Sequence, residues 1–208
     1  MPLETLILFI PACFALNMAF GPNNLLSLTI GAGHGMRAAM LGSLGRLAAF
    51  ALMIAISALG MGALLMASEL AFTLVKLAGA AYLVWLGLRL LRSSAAIDAR
   101  ALRAPQGRPR DFMRQEFLVA AGNPKAILIF TAFFPQFVAP LAYWQSFVLL
   151  GAVFLLLELI AIAVYAYFGT RLTGLMRNAR SLRWINRISG GTMIAFGAAL
   201  ALSRRPTG

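Results

Sequence analysis

The stretch FGPNN, residues 20–24, breaks an apolar segment that otherwise runs over residues 3–30. A second stretch, GNPK at residues 122–125, breaks another apolar segment in the second half of the chain. Proline lacks an amide hydrogen and clashes with the preceding helical turn, so each stretch predicts a broken helix with free backbone carbonyls. In hydrocarbon such groups are costly unless protein or water satisfies them. Two related breaks, one in each half, therefore favour a transporter binding site around a polar cavity.

The composition places the rest of the chain in a membrane. The 208 residues are 61% hydrophobic and 12% charged, and the mean hydropathy is +0.85, whereas a soluble domain needs a more polar surface. Besides the broken segment, five stretches are long enough to cross roughly 30 Å of hydrocarbon: residues 41–67, 70–91, 117–134, 145–169 and 185–202. The predicted fold class is an all-α polytopic membrane protein with six transmembrane helices in the lipid bilayer.

The distribution of charge predicts the orientation. The net charge is +12, and most arginines lie in two stretches beside apolar segments, residues 89–114 and 171–187. The positive-inside rule explains this pattern without a nucleic-acid partner and places both stretches in the cytoplasm. Six spans then put both termini outside. If the broken 3–30 segment instead re-enters from one side, five spans remain and the N-terminus lies inside.

A basic linker divides the chain into two similar halves. Residues 93–114 form this linker, residues 1–92 are predicted to form one three-helix repeat, and residues 115–208 a second within the same membrane domain. Because three is odd, the second repeat must be inverted relative to the first. The third and sixth predicted spans also carry glycines at similar places, namely Gly79 and Gly87 in one, Gly190 and Gly197 in the other.

The residues at the two breaks are the predicted substrate-binding residues. An amide side chain offers both a donor and an acceptor without the desolvation cost of a full charge, which suits the ammonium and carboxylate of a small solute. The candidates are Gly21, Pro22, Asn23, Asn24, Asn123, Pro124 and Lys125. The alternative is a simple kink at each break, packed against a neighbour, with the asparagine capping the helix.

Ionisable residues within predicted spans are expensive and are functional candidates by default. Glu158 is the deepest carboxylate, and we expect it either to carry a proton or to form an ion pair. Arg46 either snorkels to the cytoplasm or faces the cavity and holds a carboxylate. Glu116 is expected at the cytoplasmic start of the fourth span, where a helix N-terminus favours negative charge.

Several other functions lack the residues they would need. The sequence has one cysteine, Cys13, one histidine, and no Cys/His cluster, so no metal site is predicted. It has no glycine-rich phosphate loop of the Walker type, so neither ATP nor another cofactor is expected. No nucleophile–base pair is evident, so the chain is not predicted to be an enzyme. A channel, or a structural membrane protein without concentrative transport, remains the alternative, and a homodimer is left open.

Four stretches together resemble a known family. They are GPNNLL (21–26), GAGHGMRAAMLGSLGRL (31–47), KLAGAAYLVWLGLRLLRS (76–93) and GNPKAILIFTAFFPQFV (122–138). In this order they resemble the lysine-exporter (LysE/RhtB) family of amino-acid exporters. The family usually has Pro-Gly-Pro where this chain has Phe20-Gly21-Pro22.

The resemblance implies a bacterial inner-membrane, multi-pass exporter of amino acids or close derivatives, driven by an ion gradient rather than ATP. Under this hypothesis substrate enters from the cytoplasm, binds between the repeats, and leaves outward by alternating access.

Overall fold

The structure is a computed structural model that describes residues 3–67, 69–92 and 106–171, and isolated positions between 187 and 198. All regular secondary structure in these residues is helical, as predicted. Most of the predicted sixth span, 185–202, and most of the 93–114 linker lie outside the described residues.

Six α-helices and three short helical turns make up the described chain. The helices are α1 (Leu3–Met18), α2 (Pro22–Ala67), α3 (Glu69–Arg92), α4 (Pro109–Ala121), α5 (Pro124–Leu128) and α6 (Tyr143–Thr170). Between α5 and α6 lie a π-helical turn, Ile129–Phe133, and two 3-10 turns, Phe134–Phe137 and Pro140–Ala142.

By length and composition alone, two helical stretches of the described chain are apolar enough to cross a membrane: Tyr143–Thr170, and Pro22–Gly60, which contains the non-helical residue Gly35. The pair Pro109–Ala121 and Pro124–Phe137, which is bent by 54° at the GNPK stretch, makes a third if it is counted as one span. The predicted break at residues 122–125 is therefore present, within an otherwise apolar segment.

The chain of α2 reverses direction at Gly35. This glycine has φ 81° and ψ 171°, which is not helical. The guanidinium of Arg46 donates to the backbone oxygen of Asn23, 23 residues earlier, although a straight helix would separate those residues by about 35 Å. We therefore divide α2 into a first arm, residues 22–34, and a second arm, residues 36–67, that run antiparallel.

Replacing Gly35 with alanine is expected to destabilise the protein by about 1–3 kcal/mol, because its backbone conformation is accessible almost only to glycine. Nothing lies within 4 Å of the Cβ position, so the expected effect comes from the backbone alone. Thermal unfolding in detergent measures it. Gly60→Ala, at another open glycine of α2, is the matched control, and equal stability of the two variants would contradict the prediction.

The first broken segment consists of α1 and the first arm of α2 and runs in the same direction as α6. Near the break, Asn17 Nδ2 donates to the Phe154 carbonyl at 3.4 Å. Further along, the Leu28 carbonyl lies directly against Gly169, near the end of α6. The chain therefore continues past its break, as a broken span does, and does not fold back there.

The second broken segment, α4 with α5, runs in the opposite direction. Phe112 in α4 contacts His34 beside the Gly35 reversal, with ring centroids 4.8 Å apart. After the break, Phe134 packs against Phe147 near the start of α6, at 5.6 Å. The two broken segments are therefore antiparallel, and their breaks meet beside the middle of α6.

Glycines allow the close helix packing that positions these segments. A Cβ atom at Gly45 would overlap the Met113 carbonyl of α4. Gly87 of α3 and Gly190 also approach closely, since a Cβ at Gly87 would lie 2.6 Å from the Gly190 oxygen. Small residues let membrane helices approach in this way. Between the helices, the buried apolar core of the described residues includes seven phenylalanine side chains: Phe9, Phe50, Phe130, Phe133, Phe134, Phe147 and Phe154.

Candidate functional site

The first break leaves helical geometry over residues 19–21. Asn24, which follows in the first arm of α2, donates through Nδ2 to the carbonyls of Asn17 at 2.8 Å and Ala19 at 3.0 Å. These carbonyls belong to the end of α1, where helical partners are missing. The side chain of Asn24 therefore supplies hydrogen bonds to two backbone carbonyls that the break leaves without helical partners.

Phe20, where the resembling family usually has proline, packs beside Tyr165 of α6, with ring centroids 6.1 Å apart. The Tyr165 hydroxyl donates at 2.8 Å to the carbonyl of Met18, which is the last residue of α1. The aromatic pair thus holds the first break against α6.

At the second break, Asn123 is the N-cap of α5, because its Oδ1 accepts from the Lys125 backbone N–H at 3.0 Å. Pro124 occupies the first helical position, where its missing N–H costs nothing. Pro22 likewise begins the first arm of α2. Both prolines are exposed, so their place is at the start of each half-helix rather than among the polar groups of the site.

The side chains of the second break bind the first break directly. Asn123 Nδ2 donates to Asn23 Oδ1 at 2.6 Å. The Lys125 ammonium donates to the carbonyls of Leu16 at 3.0 Å and Ala19 at 2.9 Å. The two amide-bearing stretches that the sequence singled out, 100 residues apart, therefore form one polar junction.

A small cavity lies at this junction. It is lined by Asn17, Gly21, Asn23, Asn24, Phe50, Asn123, Lys125, Ala126, Ile129, Phe154 and Glu158. Its volume is about 10 Å³, close to what one water molecule needs. Five predicted substrate-binding residues are in this lining: Gly21, Asn23, Asn24, Asn123 and Lys125.

Asn23 contributes an unpaired donor to the cavity. Its side chain is 4% exposed, and its Nδ2 has no hydrogen-bond partner. The assignment follows from the network: the Lys125 N–H can only donate, so Asn123 presents Oδ1 to it and Nδ2 to Asn23. Asn23 must then accept through Oδ1, which leaves its Nδ2 free. A buried donor without an acceptor is costly, and here it belongs to a residue that lines a cavity.

Beside the cavity, Arg46 joins two buried carboxylates. It holds Glu116 in bidentate geometry, with Nε 2.8 Å from one oxygen and Nη2 2.9 Å from the other. Nη1 lies 3.0 Å from Glu158 Oε1. The guanidinium is fully buried, so it does not snorkel. We call Arg46, Glu116 and Glu158 the charge cluster.

The charge cluster is tied to the first break. Arg46 Nη1 also donates to Asn24 Oδ1 at 3.2 Å, and Nη2 donates to the hydroxyl of Ser27 and the carbonyl of Asn23. Glu158 belongs to the cavity lining as well as to the cluster. The charge cluster therefore links α2, α4 and α6 beside the two breaks.

The structure corrects the expected place of Glu116. It is fully buried against Arg46 and does not lie at the start of a span. The reason is that α4 begins at Pro109, so Glu116 falls two turns into the helix. Its spacing of four residues from Phe112 and Ala120, which are also buried, is the sequence signal that places it on the packed face.

Several cavity residues were not predicted from the sequence. Asn17 carries a signal, because it is a polar residue inside an apolar helix just before the first break. Phe50, Ala126, Ile129 and Phe154 carry none, since apolar residues in apolar helices do not reveal which face they occupy. Within the described part of the chain, no group of three His, Cys, Asp or Glu residues gathers to hold a metal.

Comparison with known proteins identifies the family. The sequence profile of the family described as LysE type translocator matches residues 14–204. The homoserine/homoserine lactone efflux protein of Salmonella typhimurium is 32% identical over 190 residues, covering 91% of this chain and 92% of that protein. The leucine efflux protein of Enterobacter sp. is 27% identical over 197 residues, covering 93% of each.

An uncharacterized membrane protein of Vibrio cholerae is 28% identical over 205 residues, covering 98% of this chain and all of that protein. No solved structure matches the chain. Members of the matched family are transporters, not enzymes. With a profile match over most of its length and relatives of the same extent, the chain belongs to the LysE type translocator family.

Proposed function

We propose that this protein exports amino acids or close derivatives from the bacterial cytoplasm across the inner membrane, as a multi-pass secondary transporter. The observation that carries the proposal is the direct contact between two antiparallel broken segments, through Asn23 and Asn123. Relatives of the same length are named for the efflux of homoserine, homoserine lactone and leucine.

The groups at the junction suit an amino acid. The carbonyls of Leu16 and Ala19 already accept hydrogen bonds from an ammonium group, that of Lys125. The unpaired Nδ2 of Asn23 is a donor suited to a carboxylate oxygen. Broken transmembrane helices place such partly charged backbone groups at the substrate site of many transporters.

Binding requires the two breaks to separate. The cavity of about 10 Å³ is far smaller than an amino acid, and in our proposal this arrangement is the closed state of the site. The contacts from Asn123 and Lys125 to the first break are the ones that substrate would replace. In our proposal the two broken segments belong to inverted three-helix repeats within a six-span protein, and their relative movement exposes the site alternately to each side.

The proposed driving force is the proton gradient or the membrane potential. Glu158 is the candidate proton carrier, because it is in the cavity lining and also pairs with Arg46. Protonation would remove one charge from the cluster and weaken its hold on the guanidinium.

Replacing Asn123 with alanine is expected to abolish export while the protein remains in the membrane. The variant loses both the N-cap of α5 and the bond to Asn23, and loss of the cap alone costs about 1 kcal/mol. Efflux of labelled leucine and homoserine from proteoliposomes measures the result. Thr131→Ala, an exposed position beyond the same break, is the matched control.

Full export by Asn123→Ala would contradict the assignment of the site. The same assay, run against a concentration gradient, separates a coupled exporter from a channel, because a channel only dissipates the gradient. Equilibration without accumulation would favour the channel.

A further inference from the structure

We propose that the site selects amino acids without net charge, bound as zwitterions, over cationic and anionic ones. This inference rests on the proposed export function and names its substrate class. It is drawn from the balance of buried charges at the junction, the unpaired donor of Asn23, and the apolar remainder of the cavity wall.

The described charges at the junction cancel. Arg46 and the Lys125 ammonium are positive, and Glu116 and Glu158 are negative. Arg46 is held by both carboxylates, and the charge cluster is at least 95% buried. A buried charge without a partner is strongly unfavourable. A zwitterion preserves the balance, whereas a cationic or anionic amino acid adds one uncompensated charge.

The cavity also offers a place for each group of a zwitterion. The Asn23 Nδ2 and the Lys125 ammonium can both donate to a carboxylate, which would draw Lys125 from the carbonyls of Leu16 and Ala19. Those carbonyls and the Glu158 carboxylate are then acceptors for the substrate ammonium. Charge-assisted hydrogen bonds of this kind are the stronger ones.

The rest of the described lining is apolar and suits an uncharged side chain. Phe50, Ala126, Ile129 and Phe154 form it. A second ammonium, as in lysine, or a second carboxylate, as in aspartate, would face these groups. Among the lining residues that the structure describes, Glu158 is the acidic one, and Arg46 already binds it.

The first test uses the unaltered protein. Proteoliposomes are loaded with leucine, homoserine, lysine or aspartate, and initial efflux rates are compared. We expect leucine or homoserine to be exported at least about tenfold faster than lysine and aspartate. Equal export of lysine would overturn the inference but leave the export function intact. Absence of export for all four would instead refute the proposed function on which the inference rests.

The second test changes the net charge of the buried groups at the junction by substitution. Lys125→Met leaves the junction with a net negative charge and is expected to raise the lysine-to-leucine rate ratio by about tenfold. Glu158→Gln leaves it positive and should raise the aspartate-to-leucine ratio instead. Both ratios are measured as exchange of labelled amino acid at equal concentrations on the two sides of the membrane, which does not require Glu158 to carry a proton. Arg110→Met and Glu4→Gln remove the same charges at exposed positions and should leave both ratios unchanged. Unchanged ratios in a folded Lys125 or Glu158 variant would contradict the charge-balance argument.

Discussion

Arg46→Met is expected to destabilise the protein by about 3–5 kcal/mol and to abolish export. Removing the guanidinium leaves Glu116 and Glu158 buried without their partner, and breaking a buried ion pair from one side has this cost. The variant also frees the Ser27 hydroxyl and the Asn23 carbonyl. The free energy of unfolding in detergent, measured with a denaturant, tests the first expectation, and proteoliposome efflux tests the second.

Two further variants make the test specific to the buried pairs. Arg37→Met removes an exposed arginine from the same helix and should change the free energy of unfolding by less than about 1 kcal/mol. Adding Glu116→Gln to Arg46→Met removes one of the orphaned charges and should recover part of the lost stability. If Arg46→Met unfolds at the same denaturant concentration as Arg37→Met, the charge cluster does not stabilise the fold.

Gly45→Ala is expected to reduce export about as much as Arg46→Met does, although it adds only one methyl group. That methyl would overlap the Met113 carbonyl, which is backbone and cannot rotate away. Overpacking typically costs about 1–3 kcal/mol or more. To remove this overlap, α4 must move away from α2. Because Arg46 directly follows Gly45, this movement would also separate Glu116 of α4 from Arg46.

The matched control is Gly60→Ala in the same helix. Nothing lies within 4 Å of its Cβ position, and alanine favours a helix over glycine by about 1 kcal/mol, so stability should be unchanged or raised. Thermal unfolding and efflux are measured for both variants. Retained export and an unaltered unfolding temperature in Gly45→Ala would show that α2 and α4 do not need their close approach.

The two helix breaks could be predicted from the sequence because their causes are local. Proline excludes a backbone hydrogen bond wherever it stands, and asparagine caps a helix through its own neighbours. Asn123 illustrates both points, as it caps α5 directly before Pro124. Between the predicted segments 3–30 and 41–67 the sequence indicates only a short connection, whereas the structure makes Gly35 the non-helical residue at which α2 reverses.

The partners of the charged residues could not be predicted in the same way. For Glu158 the sequence indicated either a proton carrier or an ion pair without fixing the partner, and the structure pairs it with Arg46. For Glu116 the expected position was wrong, because the start of α4 lies several residues earlier than hydropathy indicated. Hydropathy locates apolar stretches, but it does not detect the first turns of a helix when these are polar.

By itself, the sequence determined that the chain is helical and apolar enough for a membrane, and that two of its segments are broken, because hydropathy and proline act on neighbouring residues. Only the tertiary structure decided that the breaks meet through Asn23 and Asn123, and that Arg46 binds Glu116 and Glu158, 70 and 112 residues away along the chain. Such contacts depend on how glycines let the helices approach and on which direction each segment runs. These are properties of the packed chain and not of any one stretch.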